Sequence, residues 1–326
     1  MNSKQLAWKI RRHGIEMTHL SGSSHIGAIL SVADIIAVLY ADVLKFDPKN
    51  PKMQDRDRFI LSKGHAGASI YAALAESGFF AVDELKTHCQ NGSRLSGHVS
   101  HYVPGVDLST GSLGHGLSVA AGMAHALKKE DKNSRCYVVL GDGECNEGSV
   151  WETALFANHF RLNNLIAIVD HNRMQSLDYN ENTLELESFA SKWQAFGWNT
   201  LEIDGNDHEQ LKRAFEKAKA EANKPTVIIA NTIKGKGVSF MEMDILWHYR
   251  FPHKGWEYDT AVTELHNAKP EGVEDVYTPN GIESPDLNIE LDGKDHTMTE
   301  TWEPIYLENP RRVSSLSQVE EITEGK

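Results

Sequence analysis

The stretch RCYVVLGDGECNEGSVWETALFANHFRLNNLIAIVDHN, residues 135–172, decides the fold of this chain. Its two short apolar runs, 135–140 and 164–170, are typical of buried strands, and a segment with helical spacing separates them. Strands joined by such a crossover pair in parallel, because a tight turn can connect only antiparallel neighbours. The stretch therefore predicts a βαβ unit in a parallel sheet that helices cover on both faces.

The same alternation of helix and strand patterns continues on both sides of this stretch. Ser31 with Asp34, and Ser149 with Glu152, have the spacing of capping boxes, and Asp207 precedes a third apolar helical pattern. Further elements are predicted as helices over 31–44, 66–77 (ending before Gly78), 117–129 and 149–160, and as a strand over 225–233. We therefore predict an α/β fold, a parallel sheet flanked by helices.

The charge of the 326-residue chain is uneven. It has 33 basic and 46 acidic residues, a formal net charge of −13. From Pro270 to the end there are 14 acidic and 4 basic residues, so this part alone carries −10. We predict a domain over residues 1–250 and a mostly irregular acidic extension over 251–326. Its apolar residues Trp302, Ile305 and Tyr306 are candidate anchors on a partner.

Composition excludes several classes of protein. An acidic chain without a basic stripe is not expected to bind nucleic acid. We find no apolar run near the roughly 18 residues of a membrane span, and no signal peptide. Cys89, Cys136 and Cys145 lack CxxC spacing, which favours a reduced, cytoplasmic protein without a disulfide framework.

The strongest chemical signal lies where the two predicted strands end. Asp142 follows one strand and Asn172 follows the next, so their oxygens converge on the same rim of a parallel sheet. A carboxylate, a carboxamide and a backbone carbonyl suit a hard cation such as Mg²⁺. Gly141 and Gly143 let backbone N–H groups approach a phosphate. Together these residues predict a site for a diphosphate and Mg²⁺; a strand-end turn with a capping Asp142 is the plain structural alternative.

Five ordered motifs over residues 5–250 resemble those of transketolases. The GDG segment with its later Asn resembles the thiamine-diphosphate motif of that family. The others are SGSSHIGAILSVADIIAVLY, RFILSKGHAGASIYAAL, LSGHVSHYVPGVDLSTGSLGHGLSVAAGMA, and TIKGKGVSFME with Trp247-His248. The resemblance implies the thiamine-diphosphate-binding (PP) domain of the family, with thiamine diphosphate and Mg²⁺ (or Ca²⁺ or Mn²⁺) as cofactors.

The resemblance also implies residue roles. The cofactor residues it implies are Asp142, Asn172 and Met174 (by its carbonyl) for the metal, His65, Gly141, Gly143 and His248 for the diphosphate side, Gly114 and Leu117 for the aminopyrimidine side, and Glu147 at a dimer interface. His25 and His248 would deprotonate the donor hydroxyl and activate the aldehyde, because neutral imidazoles exchange protons near pH 7. His98 would bind the terminal hydroxyl of the donor. Any one of these histidines could instead be a plain structural residue.

The family resemblance covers only part of a transketolase. The glutamate that activates the cofactor ring in this family lies on a pyrimidine-binding domain, to which no segment here corresponds. We therefore expect the N-terminal subunit of a split transketolase. It would transfer a two-carbon ketol unit from a ketose to an aldose with a separate C-terminal subunit, in a heterotetramer with two copies of each chain.

Other functions stay open at this point. The half-enzyme could act on sulfonated or branched sugars instead of pentose phosphates, or be a non-catalytic scaffold with the same fold. Related possibilities are a 1-deoxyxylulose phosphate synthase or a 2-oxo-acid dehydrogenase relative, but His25 and His98 favour transketolase. A metal-dependent hydrolase would need a local ligand set such as HExxH, which the sequence lacks.

Overall fold

A parallel sheet organises the structure, a computed structural model that describes residues 1–277. The strands are β1 (Arg58–Leu61), β2 (Cys136–Gly141), β3 (Leu165–His171), β4 (Asn199–Asp204) and β5 (Thr226–Asn231). All neighbours pair in parallel, in the order β1-β2-β3-β5-β4. The predicted α/β fold with its central βαβ unit is confirmed.

Helices cover both faces of this sheet. They are α1 (Ser3–Ser21), α2 (Ile26–Val38), α3 (Gly67–Glu76), α4 (His115–Lys129), α5 (Gly148–His159), α6 (Asn180–Thr183), α7 (Phe189–Ala195), α8 (His208–Ala220) and α9 (Trp256–Asn267). One hydrophobic cluster joins α1, α2, α3 and α8 to one face of the sheet, and a second joins α4, α5 and α7 to the other. Alternate residues of β2, such as Tyr137 and Val138, enter opposite clusters, as the strand period requires.

The two predicted capping boxes are wrong. Helix α2 begins at Ile26, five residues before the predicted start, so Ser31 lies inside it and bonds to Asp170 at 2.6 Å. Asp34 instead receives both terminal nitrogens of Arg11. Helix α5 begins at Gly148, and the hydroxyl of Ser149 donates to the carbonyl of Gly114 at 2.9 Å. In each case the polar side chain bonds to a residue outside its own helix and does not cap the helix end.

Other local predictions are correct. Asp207 caps α8 by accepting from the backbone N–H groups of Glu209 and Gln210. Gly78 follows α3 with a φ of +88°, the left-handed conformation that glycine adopts freely. The sequence analysis did not predict α1, β1 or β4. The strand β4 carries polar residues and lies at the sheet edge, so it lacks the apolar run that marks the central strands.

One stretch contradicts the expectation that no segment could span a membrane. Residues 26–43 are long and apolar enough by length and composition alone. The structure places 83% of this stretch inside the protein, where it forms α2 and the turn that follows. A buried core helix passes the same test as a membrane span, so the feature is weak evidence for a membrane.

The beginning of the predicted acidic extension packs on the body of the chain. Helix α9 contacts α1, and the indole of Trp8 on α1 donates to the carbonyl of Leu265 on α9 at 2.6 Å. Tyr277 lies edge-on to the His13 ring and accepts the guanidinium of Arg12 over its face. The boundary at residue 250 and the irregular character of the extension stay predictions. Trp302, Ile305 and Tyr306 lie outside the described residues.

Candidate functional site

The carboxyl ends of the central strands open into one cleft. Strands β2 and β3 end in register, with Gly141 opposite Asp170, so Asp142 and Asn172 leave the sheet side by side. This cleft encloses about 1000 Å³, including space open to solvent. Its walls contain most of the candidate residues from the sequence: His25, His65, His98, Gly141, Asp142, Gly143, Glu147, Asn172, Met174 and His248. The loops of separate motifs therefore converge as expected.

Four histidine rings form a cluster on one wall of the cleft. His25 is central, with its ring centroid 5.2 Å from that of His65, 5.8 Å from His98 and 5.5 Å from His248. His25 adopts a left-handed backbone conformation, φ +76°, just before α2, and its Nδ1 lies 2.7 Å from the Ser24 hydroxyl. This backbone bend turns the ring out of the helix and toward the other three histidines.

Three histidines of this cluster have lowered pKa values and are neutral at pH 7. Burial, followed by the charges of His98 and Lys234, lowers the pKa of His25 to about 4. Burial and then Lys234 lower the pKa of His248 to about 3. The pKa of His65 is well below its usual value, chiefly from burial and then Lys63. Neutral imidazoles can accept a proton from a hydroxyl or donate a hydrogen bond, depending on the tautomer.

The oxygen atoms predicted to bind a metal lie at the floor of the cleft. Asp142 is only 2% exposed, and its carboxylate accepts the backbone N–H groups of Gly143 at 2.8 Å and Arg173 at 2.5 Å. Asn172 Oδ1 accepts the N–H of Met174 at 3.1 Å. Burial raises the pKa of Asp142 and disfavours its charged form, a cost that a bound cation would offset. These atoms therefore fit a divalent ion.

Such a metal site would have a single carboxylate and would depend on amide and carbonyl oxygens for its other protein ligands. Within residues 1–277 no group of three or more His, Cys, Asp and Glu side chains is arranged to hold a metal ion. The carbonyl of Met174 accepts the ammonium of Lys234 at 3.3 Å. A ligand set of one carboxylate, one amide and one carbonyl leaves positions for water or phosphate oxygens, as Mg²⁺ prefers.

A buried ion pair supports the part of the cleft that contains Asp142 and Asn172. Lys63 is 1% exposed and Asp170 is fully buried, and the two form a salt bridge. Asp170 also accepts the hydroxyls of Ser31 and Thr232. The amide of Asn172 donates to the same carboxylate at 3.3 Å. Burial raises the pKa of Asp170, but Lys63 outweighs this and holds it below its usual range. The charged Asp170 therefore fixes the orientation of Asn172.

Two residues implied for the aminopyrimidine side do not line the cleft. Leu117 is fully buried in α4 and packs in the hydrophobic cluster beneath it. Gly114 forms the start of α4 with φ +84°, and its N–H donates to the Glu144 carboxylate at 2.9 Å. Their neighbour Leu113 lines the cleft instead. The role of Gly114 and Leu117 at the aminopyrimidine side therefore stays a prediction.

The cleft also contains residues that the sequence analysis missed. Lys63, Lys234 and Tyr249 all contribute to its walls. Lys234 is 1% exposed, and its ammonium donates to His248 Nδ1 at 2.8 Å. Burial, then the charge of Lys63, lowers the pKa of Lys234 to about 8. A usable signal was present, since each of these residues lies within two positions of a motif histidine or follows a predicted strand.

Comparisons with known proteins match this geometry. Residues 2–246 match the family described as transketolase, thiamine diphosphate binding domain. The chain is 41% identical over 257 residues to a subunit of the apulose-4-phosphate transketolase from Phocaeicola vulgatus, covering 79% of this chain and 91% of that protein. It is 42% identical over 258 residues to a subunit of the 6-deoxy-6-sulfo-D-fructose transketolase from a Clostridium species, covering 78% and 93%.

Solved structures give the same result. The transketolase from Campylobacter jejuni superposes with a TM-score of 0.77 at 31% identity, covering 82% of this chain. The chain spans only 43% of that protein, whereas it spans about nine tenths of the two transketolase subunits. This chain belongs to the transketolase family, through its thiamine-diphosphate-binding domain.

Proposed function

We propose that this chain is the cofactor-binding subunit of a split transketolase, which transfers a two-carbon ketol unit from a ketose to an aldose. The observation that supports this most directly is the joint placement of the metal-binding oxygens and four histidines in one cleft. Two close relatives carry names of transketolase subunits, and this chain covers about nine tenths of each. A scaffold would not need this cleft.

The residues present fit thiamine diphosphate with a divalent cation. Asp142, Asn172 and the carbonyl of Met174 would hold Mg²⁺, and Lys234 would offset the charge of the diphosphate. Gly143 keeps the floor of the cleft open, since a Cβ there would lie 2.7 Å from the side chain of Gln175. When bound, thiamine diphosphate supplies the carbanion and electron sink that carbon–carbon cleavage next to a carbonyl requires.

The chain's own residues would handle the protons of the substrate. His25 and His248 are neutral and lie 5.5 Å apart, so one can accept the hydroxyl proton of a donor while the other hydrogen-bonds the aldehyde oxygen of an acceptor. The His98 ring lies 5.8 Å from that of His25, and we propose that it binds the terminal hydroxyl of a donor.

A second chain completes this function. Both relatives are named as subunits, and full-length transketolases continue beyond the region that this chain matches. The partner would carry the pyrimidine and C-terminal domains and supply the activating glutamate. We propose a heterotetramer with two copies of each chain. A reduced cytoplasmic location is part of this proposal, and the three cysteines are free thiols in the structure.

The donor is proposed to be a specialised sugar. The named relatives act on apulose 4-phosphate and 6-deoxy-6-sulfofructose, according to their names. A ketose with a branched or sulfonated carbon chain is therefore the first candidate, and a pentose phosphate is the second. Transfer from a panel of these donors to one common aldose, measured as product formation, would rank them.

The partner requirement can be tested by reconstitution. We expect the purified chain alone to give no ketol transfer with thiamine diphosphate and Mg²⁺, and the mixture with its C-terminal partner to give transfer. Tryptophan quenching by thiamine diphosphate, with and without Mg²⁺, measures cofactor binding in both samples. Full activity of the chain alone would overturn the split-enzyme proposal.

Two substitutions separate cofactor binding from proton transfer. In the assembled enzyme Asp142→Ala should abolish Mg²⁺-dependent cofactor binding, because it removes the only carboxylate of the proposed ligand set. His248→Ala should bind cofactor nearly as well and lose about 100-fold or more in turnover, the usual contribution of a general acid or base. His159→Ala, on the far end of α5, serves as a control. Equal loss of cofactor in both site variants would contradict this division of roles.

A further inference from the structure

One aromatic ring in the cleft has no role in the proposed proton chemistry. Tyr249 lines the cleft and is 58% exposed, whereas the adjacent His248 is 7% exposed. Its ring centroid lies 5.3 Å from His25 and 4.6 Å from His248, in T-shaped contacts with both. The ring therefore packs against His25 and His248, the proposed proton-transferring residues, and extends from them toward the mouth of the cleft.

The backbone around this ring is held on both sides. His248 is hydrogen-bonded to Lys234 at 2.8 Å, and the buried Trp247 packs against Phe240. On the other side, Arg250 pairs with Glu257 at 2.5 Å and lies over the Trp247 ring at 5.0 Å. The anchored neighbours fix the backbone at Tyr249, and the contacts with His25 and His248 hold its ring, so the ring forms a defined part of the cleft wall.

We infer that Tyr249 determines the specificity of the proposed transketolase by contacting the sugar chain beyond the reacting carbons. This inference rests on the proposed function. The reacting carbons must approach the buried histidines, so the remainder of a longer sugar passes the exposed ring at the cleft mouth. The charged neighbour Arg250 is paired with Glu257, so at this point of the wall the uncharged ring face of Tyr249 is available to a sugar. C–H groups of a sugar pack favourably on such a face.

The contact predicts selectivity by length of the acceptor. Glycolaldehyde has only two carbons, so no part of it extends beyond the histidines along the exposed part of the ring. Ribose 5-phosphate has three further carbons and must pass it. Tyr249→Gly in the reconstituted enzyme should raise the KM for ribose 5-phosphate about tenfold, with kcat and the KM for glycolaldehyde nearly unchanged. Tyr249→Phe should behave like the wild type, because it keeps the ring.

The experiment uses hydroxypyruvate as donor, so that only the acceptor varies. Leu246→Gly is a matched control, because Leu246 is also 58% exposed on the same turn but does not line the cleft. Should the glycine variant fail to fold, Tyr249→Leu carries the same test, since it removes the aromatic faces and keeps bulk. Equal KM changes for both acceptors, or none for ribose 5-phosphate, would overturn the inference. Absence of transfer by the wild-type pair would instead refute the proposed function.

Discussion

The buried pair between Lys63 and Asp170 gives the sharpest test of how this site is built. Replacing Lys63 by Met keeps most of the length of the side chain and removes its charge. Asp170 is fully buried, so its carboxylate would then keep only the hydroxyls of Ser31 and Thr232 and the amide of Asn172. Loss of one partner from a buried ion pair leaves an uncompensated charge.

The expected cost is large. Breaking such a pair lowers the free energy of unfolding by about 3–5 kcal/mol. For a domain of this size, each kcal/mol corresponds to a fall in Tm of roughly 2–4 °C, so a decrease near 10 °C is expected. Urea unfolding of the purified chain, followed by tryptophan fluorescence, measures the free energy directly.

A matched control and a double variant separate charge from packing. Lys236 and Glu242 form a half-exposed pair at 3.3 Å, so Lys236→Met should cost less than about 1 kcal/mol. The double variant Lys63→Met with Asp170→Leu removes both charges and should be more stable than Lys63→Met alone. The reasoning fails if Lys63→Met is no less stable than Lys236→Met.

Three further predictions concern stability. The pKa values of His25 and His248 are lowered to about 4 and about 3, so below pH 6.5 the unfolded chain binds protons that the folded chain does not. The free energy of unfolding should therefore fall from pH 6.5 toward 4, on the order of 1 kcal/mol for each ring after a discount for solvent. Urea unfolding across pH measures this fall, which should be smaller in the His25→Asn and His248→Asn variants. Gly114→Ala should cost about 2 kcal/mol in the same assay, because φ is +84° and a Cβ would lie 2.7 Å from Glu147, whereas Gly122→Ala, with open space, should be tolerated. Asp207→Ala should cost about 1 kcal/mol by loss of the α8 cap, with a proportionate fall in Tm.

The sequence predicted those parts of the fold that depend on local pattern. The apolar runs of β2 and β3 are buried on both faces, so their hydrophobicity is continuous and easy to recognise. Asp207 caps a helix with its own backbone neighbours, and no distant residue within 1–277 bonds to its carboxylate. Asp34 has the same local chemistry, but Arg11 and His208 from other helices bind its carboxylate. A local capping pattern cannot show that a residue distant in sequence will bind the carboxylate instead of the backbone N–H groups of the helix.

In the candidate site too, features set by local pattern were predicted and features set by distant residues were not. Asp142 and Asn172 were found because strand ends in a parallel sheet converge whatever the side chains are. The lysines were missed because a lysine in a sequence is expected on the surface, and burial of Lys63 depends on an acid 107 positions away. The burial of Leu117 in the core could not be read from the sequence for a related reason. The helical rotation of α4, set by its packing on the sheet, decides which of its first residues face the cleft.

The two lysines also link the charge of a ligand to the chemistry of the histidines. Lys63 is neutralised by Asp170, whereas Lys234 donates to an imidazole and a carbonyl. After burial, the charge of Lys234 is the largest influence that lowers the pKa of His248. A diphosphate beside Lys234 would offset that charge and raise the pKa of His248 toward its ordinary value. The higher pKa favours proton uptake from a substrate only when the cofactor is present.

An NMR titration of the His248 ring should therefore show a higher pKa with inorganic pyrophosphate and Mg²⁺ bound, and Lys234→Met should raise this pKa without any ligand. Binding of pyrophosphate with no change in the His248 pKa would contradict this coupling.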